Sequence, residues 1–115
     1  MADTHNLEKE IRDVLELTST DALAGKPWYV QAGTYACELG DAIHAVTLRI
    51  EAGDVDAFRK PLIDAAYKVF DEVIAPLDMP AVPEWLEVQL EMATRVQIPL
   101  IVDELLERIR LRIAA

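Results

Sequence analysis

Glu38, Asp41 and His44 recur at intervals of three in the stretch ELGDAIHAV. On a helix that interval places the three side chains on adjacent parts of one face. Two carboxylates so arranged can share a hard divalent cation such as magnesium, provided that another helix supplies further oxygens. The same acids also read as ordinary charge on a solvated helix face. Elsewhere the inventory is thin. Cys37 is the only cysteine, so there is no internal disulfide and no zinc spacing, and its place within a helix reads as that of a small buried apolar residue. His44 borders a thin apolar stripe and reads as a partly buried, hydrogen-bonded imidazole. Ser19 is the only serine and is placed to cap a turn. The sequence contains no glycine-rich phosphate loop, no nucleophile elbow and no cysteine–histidine pairing.

Glu38 to Val46 resembles the second motif helix of the all-helical nucleoside triphosphate pyrophosphohydrolases, the group of the MazG proteins and the dimeric dUTPases. That family carries ExxE on one helix and ExxD on another. The resemblance implies that the four acids hold magnesium, which polarises the phosphate chain and activates water to release pyrophosphate. Glu38 and Asp41 match the ExxD pair. The counterpart of the first pair is Glu10 with Asp13, which carries Asp in the second place. Lys26 and Trp28 stand where some members have basic and aromatic residues between the motifs. In the helical projection, however, Asp13 points away from the apolar face of its helix, and Glu38 and Asp41 away from that of theirs. A shared cleft and four solvated charges are therefore the two expectations for these residues.

The elements that must position them are helical. At 115 residues the chain is one domain over 1–115, with 52% hydrophobic but only 6% aromatic residues, a composition suited to packed helices. The apolar surplus points to burial between subunits. A formal net charge of -10 disfavours nucleic acid and anionic membranes as partners and favours cations or a basic partner. The start of the chain lacks the features of a signal peptide, and the longest unbroken apolar run, Ile98 to Val102, is far short of a membrane span. A cytoplasmic location is expected.

The longest segment readable as one helix is Trp28 to Ala52, with Trp28, Tyr29, Ala32, Tyr35, Ala36, Leu39, Ile43, Val46, Thr47 and Ile50 on one broad face. Gly33 and Gly40 leave two bare spots where another backbone could approach. A first helix is expected from Thr4 or Asn6 to about Thr18, with Leu7, Ile11, Val14, Leu15 and Thr18 inward. Ser19 or Thr20 then caps a short turn that Gly25 ends, and Pro27 opens the central helix. Gly53 and Asp54 terminate that helix and cap the next, making the two antiparallel neighbours. The third helix covers about Val55 to Ile74, with a bend or restart near Lys60 caused by Pro61. Three prolines within 76–83 predict a stiff strap that Leu77, Met79 and Val82 pin to the bundle.

The last segment carries a conflict. From Glu84 to Gln97 the apolar residues Trp85, Leu86, Val88, Leu90, Met92, Ala93 and Val96 span an arc of about 200°. Ile101, Val102, Leu105, Leu106, Ile109 and Ile113 centre on nearly the opposite side. A straight helix cannot bury both sets against one partner, so a break or strong kink is expected near Ile98 and Pro99. The fold expected is all-α: an antiparallel bundle of four to five helices with a proline-rich strap. The leading functional expectation is a non-enzymatic bundle, without cofactor, working through protein contacts as a homodimer or higher assembly. Trp85, Leu86, Leu105, Leu106 and Ile109 are its candidate contact residues. The alternative is the magnesium-dependent pyrophosphohydrolase built on Glu10, Asp13, Glu38 and Asp41. A further alternative is an acidic mimic of nucleic acid that occupies another protein's basic groove.

Overall fold

A computed structural model of the chain describes residues 6–50, 55–77 and 83–114. Four helices carry it: α1 (Leu7–Val14), α2 (Trp28–Thr47), α3 (Val55–Val69), which runs on through a π-helical turn at Phe70–Ile74, and α4 (Glu84–Ala114). There is no strand among the described residues. The all-α bundle expected from the sequence is the fold observed.

Directions follow from the cross-helix bonds. Arg59 of α3 pairs with Asp103 of α4, while Tyr67, two turns further along α3, reaches back to Arg95, so α3 and α4 are antiparallel. Glu10 pairs with Arg49 at 3.9 Å while the chain just after α1 meets Glu38, so α1 and α2 are antiparallel. Lys68 and Glu72 meet Glu8 and Arg12, so α1 runs parallel to α3. The grooves between α2 and α4 match Ala36 with Thr94 at one end and Leu48 with Leu111 at the other, making that pair parallel too. Each of α2 and α3 packs beside α1 and α4. The sequence expectation made α2 and α3 side-by-side neighbours; instead α1 and α4 separate them and they meet only across the core. The turn at Gly53 and Asp54 lies outside the described residues.

The core is one cluster. Leu7 and Ile11 of α1, Tyr35, Leu39, Ile43 and Val46 of α2, Phe58, Leu62, Ala66 and Val69 of α3, and Ile98, Val102, Leu106 and Ile109 of α4 are all buried in it. Deep burial of an aliphatic or aromatic side chain contributes about 1.5–3 kcal/mol, which explains how α3 runs unbroken through Pro61 against a cost of about 3 kcal/mol. The π turn closes with Ala75 N–H donating to Phe70 C=O at 2.8 Å and keeps Phe70 and Ile74 both inside. Leu77 packs on the core as expected, whereas 78–82, with Met79 and Val82, lies outside the described residues.

α1 ends four residues earlier than its apolar spacing predicts. Leu15 leaves the helix in an extended conformation, because the backbone of Thr18 is claimed by α2: its N–H donates to the Glu38 carboxylate at 2.8 Å and its C=O accepts from Tyr35 Oη at 2.9 Å. The turn after Ser19 forms as expected, with Ser19 Oγ accepting from Asp21 N–H and Gly25 closing it at a φ of 83°. Pro27 caps α2 rather than occupying its first turn.

The largest departure is in α4, a continuous 31-residue helix with Pro99 inside it. The expected break is absent. Proline at 99 deprives the Arg95 carbonyl of its helical donor. Tyr67 of α3 supplies the replacement, its Oη donating to Arg95 C=O at 2.7 Å. The Arg95 guanidinium also pairs with Asp71 and lies 5.6 Å from the centre of the Phe70 ring, so the residue that loses its bond is also tied by its side chain to the π-helical turn.

Two stability predictions follow from these contacts. Tyr67→Phe should cost about 1–2 kcal/mol in chemical denaturation, since it leaves a backbone acceptor unpaired. In a Pro99→Ala background, where residue 99 regains its N–H, the same change should cost less, giving a coupling of at least about 0.5 kcal/mol in the double-mutant cycle. The Arg59 hydrogen bonds at 2.6 and 3.1 Å hold the Asp103 carboxyl below the usual carboxylate range, with burial opposing and Arg59 and Arg110 charge assisting. A depressed carboxyl stabilises the fold above its unfolded value and loses that contribution as pH falls. Asp103→Asn should therefore flatten the loss of stability between about pH 5 and pH 3, by less than about 1 kcal/mol for so exposed a pair.

Candidate functional site

The four acids of the pyrophosphohydrolase reading have separate surroundings. Glu10 is half-buried beside Arg49. Asp13 and Asp41 are exposed on the outer faces of α1 and α2. Glu38 is half-buried, and both its oxygens accept the Thr18 N–H, at 2.8 and 3.2 Å. Among the described residues, no three histidine, cysteine, aspartate or glutamate side chains converge on a space that could hold a metal ion. Of the two expectations, the solvated face describes Asp13 and Asp41, while Glu38 follows neither.

Glu38 belongs instead to a set of α2 side chains that bind the backbone of residues 15–27. Gln31, itself buried, donates from Nε2 to Leu23 C=O at 3.2 Å and to Lys26 C=O at 3.1 Å. Tyr35 and Glu38 take the two backbone groups of Thr18. Burial, with the Glu38 charge nearby, pushes the Tyr35 phenol up from its ordinary value. Long polar side chains on the inward flank of α2 thus satisfy the peptide groups of a crossing that has no regular structure of its own. The repeat of polar residues 31, 35 and 38 was the available signal for this, although nothing local says what they bind.

His44 and Cys37 are both exposed, correcting the buried places read for them. They border a shallow groove between α2 and α4 with Gly40, Asp41, Gln97 and Ile101. Gly33 and Gly40 serve no close approach of backbones: a side chain built at either would meet nothing within 4 Å. A small half-open pocket, about 40 Å³, lies where Tyr35, Leu39, Phe70 and Ile74 face Glu87, Leu90 and Thr94.

The surface that stands apart lies on α4. Because the helix continues through Pro99, only one of its two apolar sets is buried. Leu105, Leu106 and Ile109, candidate contact residues by sequence, are inside the chain's own core, each 9% exposed or less. Leu86 is half-buried. Trp85 stands outward with Val88, Met92, Val96 and Leu100, each between 56% and 68% exposed. At about 100° per residue these five fall within an arc of about 120°, forming a ridge about 22 Å long. The sequence places the first four on one apolar face and makes Trp85 a candidate contact residue; Leu100 belongs to neither of the two apolar sets named from the sequence.

No family model, curated protein or solved structure matches the chain. No helix among the described residues is long and apolar enough to cross a membrane.

The assignment of Glu38 to the loop has a direct test. Glu38→Ala should cost about 1.5–3 kcal/mol, the range for a hydrogen bond to a charged acceptor, and Glu38→Gln less. Thermal unfolding in EDTA and in magnesium should show the same loss. A loss that appears only in magnesium would restore the metal reading.

Proposed function

We propose that the chain is a non-catalytic helical contact module that works by self-association through the outer ridge of α4. One observation carries the reading: five large apolar side chains, aligned on one continuous helix, are more than half exposed and have no cover among the described residues. Scattered apolar residues are ordinary on a protein surface, but a contiguous patch of several hundred Å² marks an interaction site.

The electrostatics favour the same face. Between Glu91 and Asp103 the sequence contains no acid, although the chain as a whole carries 21. The neighbours of the ridge on one flank are Gln89, Ala93 and Gln97, all uncharged. On the other flank Arg95 is already engaged by Asp71. The acids that border the ridge, Glu84, Glu87 and Glu91, all stand at its first half, so two copies meet over Met92, Val96 and Leu100 with the fewest carboxylates to dehydrate, each costing several kcal/mol where it is buried unpaired.

Size-exclusion chromatography with light scattering, run from micromolar to submillimolar chain, should give a mass above that of the monomer. Val96→Asp places a carboxylate in the middle of the ridge and should weaken association by about a hundredfold or more. Circular dichroism should be unchanged, because Val96 is two-thirds exposed and is not part of the core. A wild-type monomer across the whole range would overturn the proposal.

A further inference from the structure

Resting on that reading, we infer that the occupant of the ridge is the same ridge of a second copy, lying antiparallel across it, with the two-fold axis passing beside Met92. The area is sufficient. The five side chains together expose about 600 Å² per chain, so an isologous contact that covered them fully would remove about 1,200 Å², which reaches the lower end of stable specific interfaces.

The order of the residues sets the orientation. Counted from Met92, Trp85 lies seven residues before, Val88 four before, Val96 four after and Leu100 eight after. The ridge is thus nearly the same read in either direction, which is what an antiparallel two-fold contact requires. With the axis at Met92, Val88 faces the partner's Val96, Met92 faces the partner's Met92, and Trp85 covers the partner's Pro99 and Leu100, with the exposed Glu84 at the solvent edge of the contact, beside the partner's Leu100. Four of the five residues lie on one i, i+4 row, and rows of this kind interdigitate with helix axes crossing at about 50°. Such a crossing concentrates contact within about two turns of the axis, and the long indole of Trp85 extends it.

Competing arrangements are less favourable. Moving the axis by half a turn, to residue 94, would pair Met92 with the partner's Val96 but would set Trp85 over the partner's Asp103, dehydrating its ion pair with Arg59. A parallel arrangement would align the acidic first turns, Glu84 and Glu87 of each copy, and would add the two helix dipoles in the same sense.

Cysteine coupling reads the geometry. In a Cys37→Ser background, Met92→Cys, Trp85→Cys and Leu100→Cys are prepared singly and oxidised with copper phenanthroline below and above the association range. A disulfide requires Cα atoms within about 7 Å. Met92→Cys should couple to itself at least about tenfold faster than either other variant alone, and a mixture of the Trp85→Cys and Leu100→Cys proteins should give the mixed dimer. Self-coupling of all three at similar rates would establish a parallel pair and overturn the inference. A light-scattering dimer in which Met92→Cys does not couple would overturn the geometry while leaving self-association intact. A wild-type monomer would overturn both.

Discussion

The hydrogen bond from Tyr67 to the Arg95 carbonyl decides the shape of the molecule. A proline in mid-helix ordinarily kinks or ends it, because its ring crowds the residue four before and leaves that carbonyl unpaired. Here the orphaned acceptor points at α3 and finds a hydroxyl at 2.7 Å. With its acceptor satisfied and Arg95 tied to Asp71 and Phe70, α4 continues unbroken for 31 residues. The cost is borne elsewhere. A continuous helix offers one side to the bundle, so Ile98, Val102, Leu106 and Ile109 are buried and Trp85, Val88, Met92 and Val96 of the earlier apolar set are left outside. A kink would have hidden that set; the tyrosine keeps it in the open.

A second constraint acts at the other side of α2. Residues 15–27 cross the bundle without a helix, and their peptide groups need partners as strictly as any in the core. α2 provides three, Gln31, Tyr35 and Glu38, each reaching a named backbone atom. This explains why a helix with a strong internal role carries buried or half-buried polar side chains on its inner flank. It also accounts for the short α1: once Thr18 is bonded to α2, the chain cannot continue the helical path that its apolar spacing favours. Among the described residues no buried side-chain nitrogen or oxygen is left without a partner.

What was legible from sequence divides along the same line. The helical class, the helices themselves, the turn closed by Gly25 and the inward face of α1 all follow from three-and-four spacing and from glycine and serine chemistry, which are local properties. The misplaced features each depend on a distant donor or acceptor. Pro99 reads as a break until Tyr67, thirty-two residues away, is brought against Arg95. Glu38 reads as a ligand or as solvated charge until Thr18 arrives. The neighbour relation of α2 with α3 failed because a short connection constrains direction more than adjacency, and α1 packs between the two helices. Leu105, Leu106 and Ile109 were read as contact residues because the kink was expected to free them; held in line, they belong to the core.

The charge of the chain and the ridge of α4 act together. Exposed like charges repel over about 8 Å at physiological ionic strength, so a chain of net charge -10 resists approach over most of its surface. An apolar ridge on such a body is shielded from indiscriminate association by the acids around it. Approach is least opposed where acids are missing, and the stretch from Met92 to Val102 is such a place. Under the proposed self-association, hydrophobic contact supplies the attraction, and the distribution of carboxylates selects which faces can use it. The continuity of the helix through Pro99 then matters for function: a break there would swing Leu100 out of line with Val88, Met92 and Val96. The ridge would lose the near-symmetry that lets one copy match another.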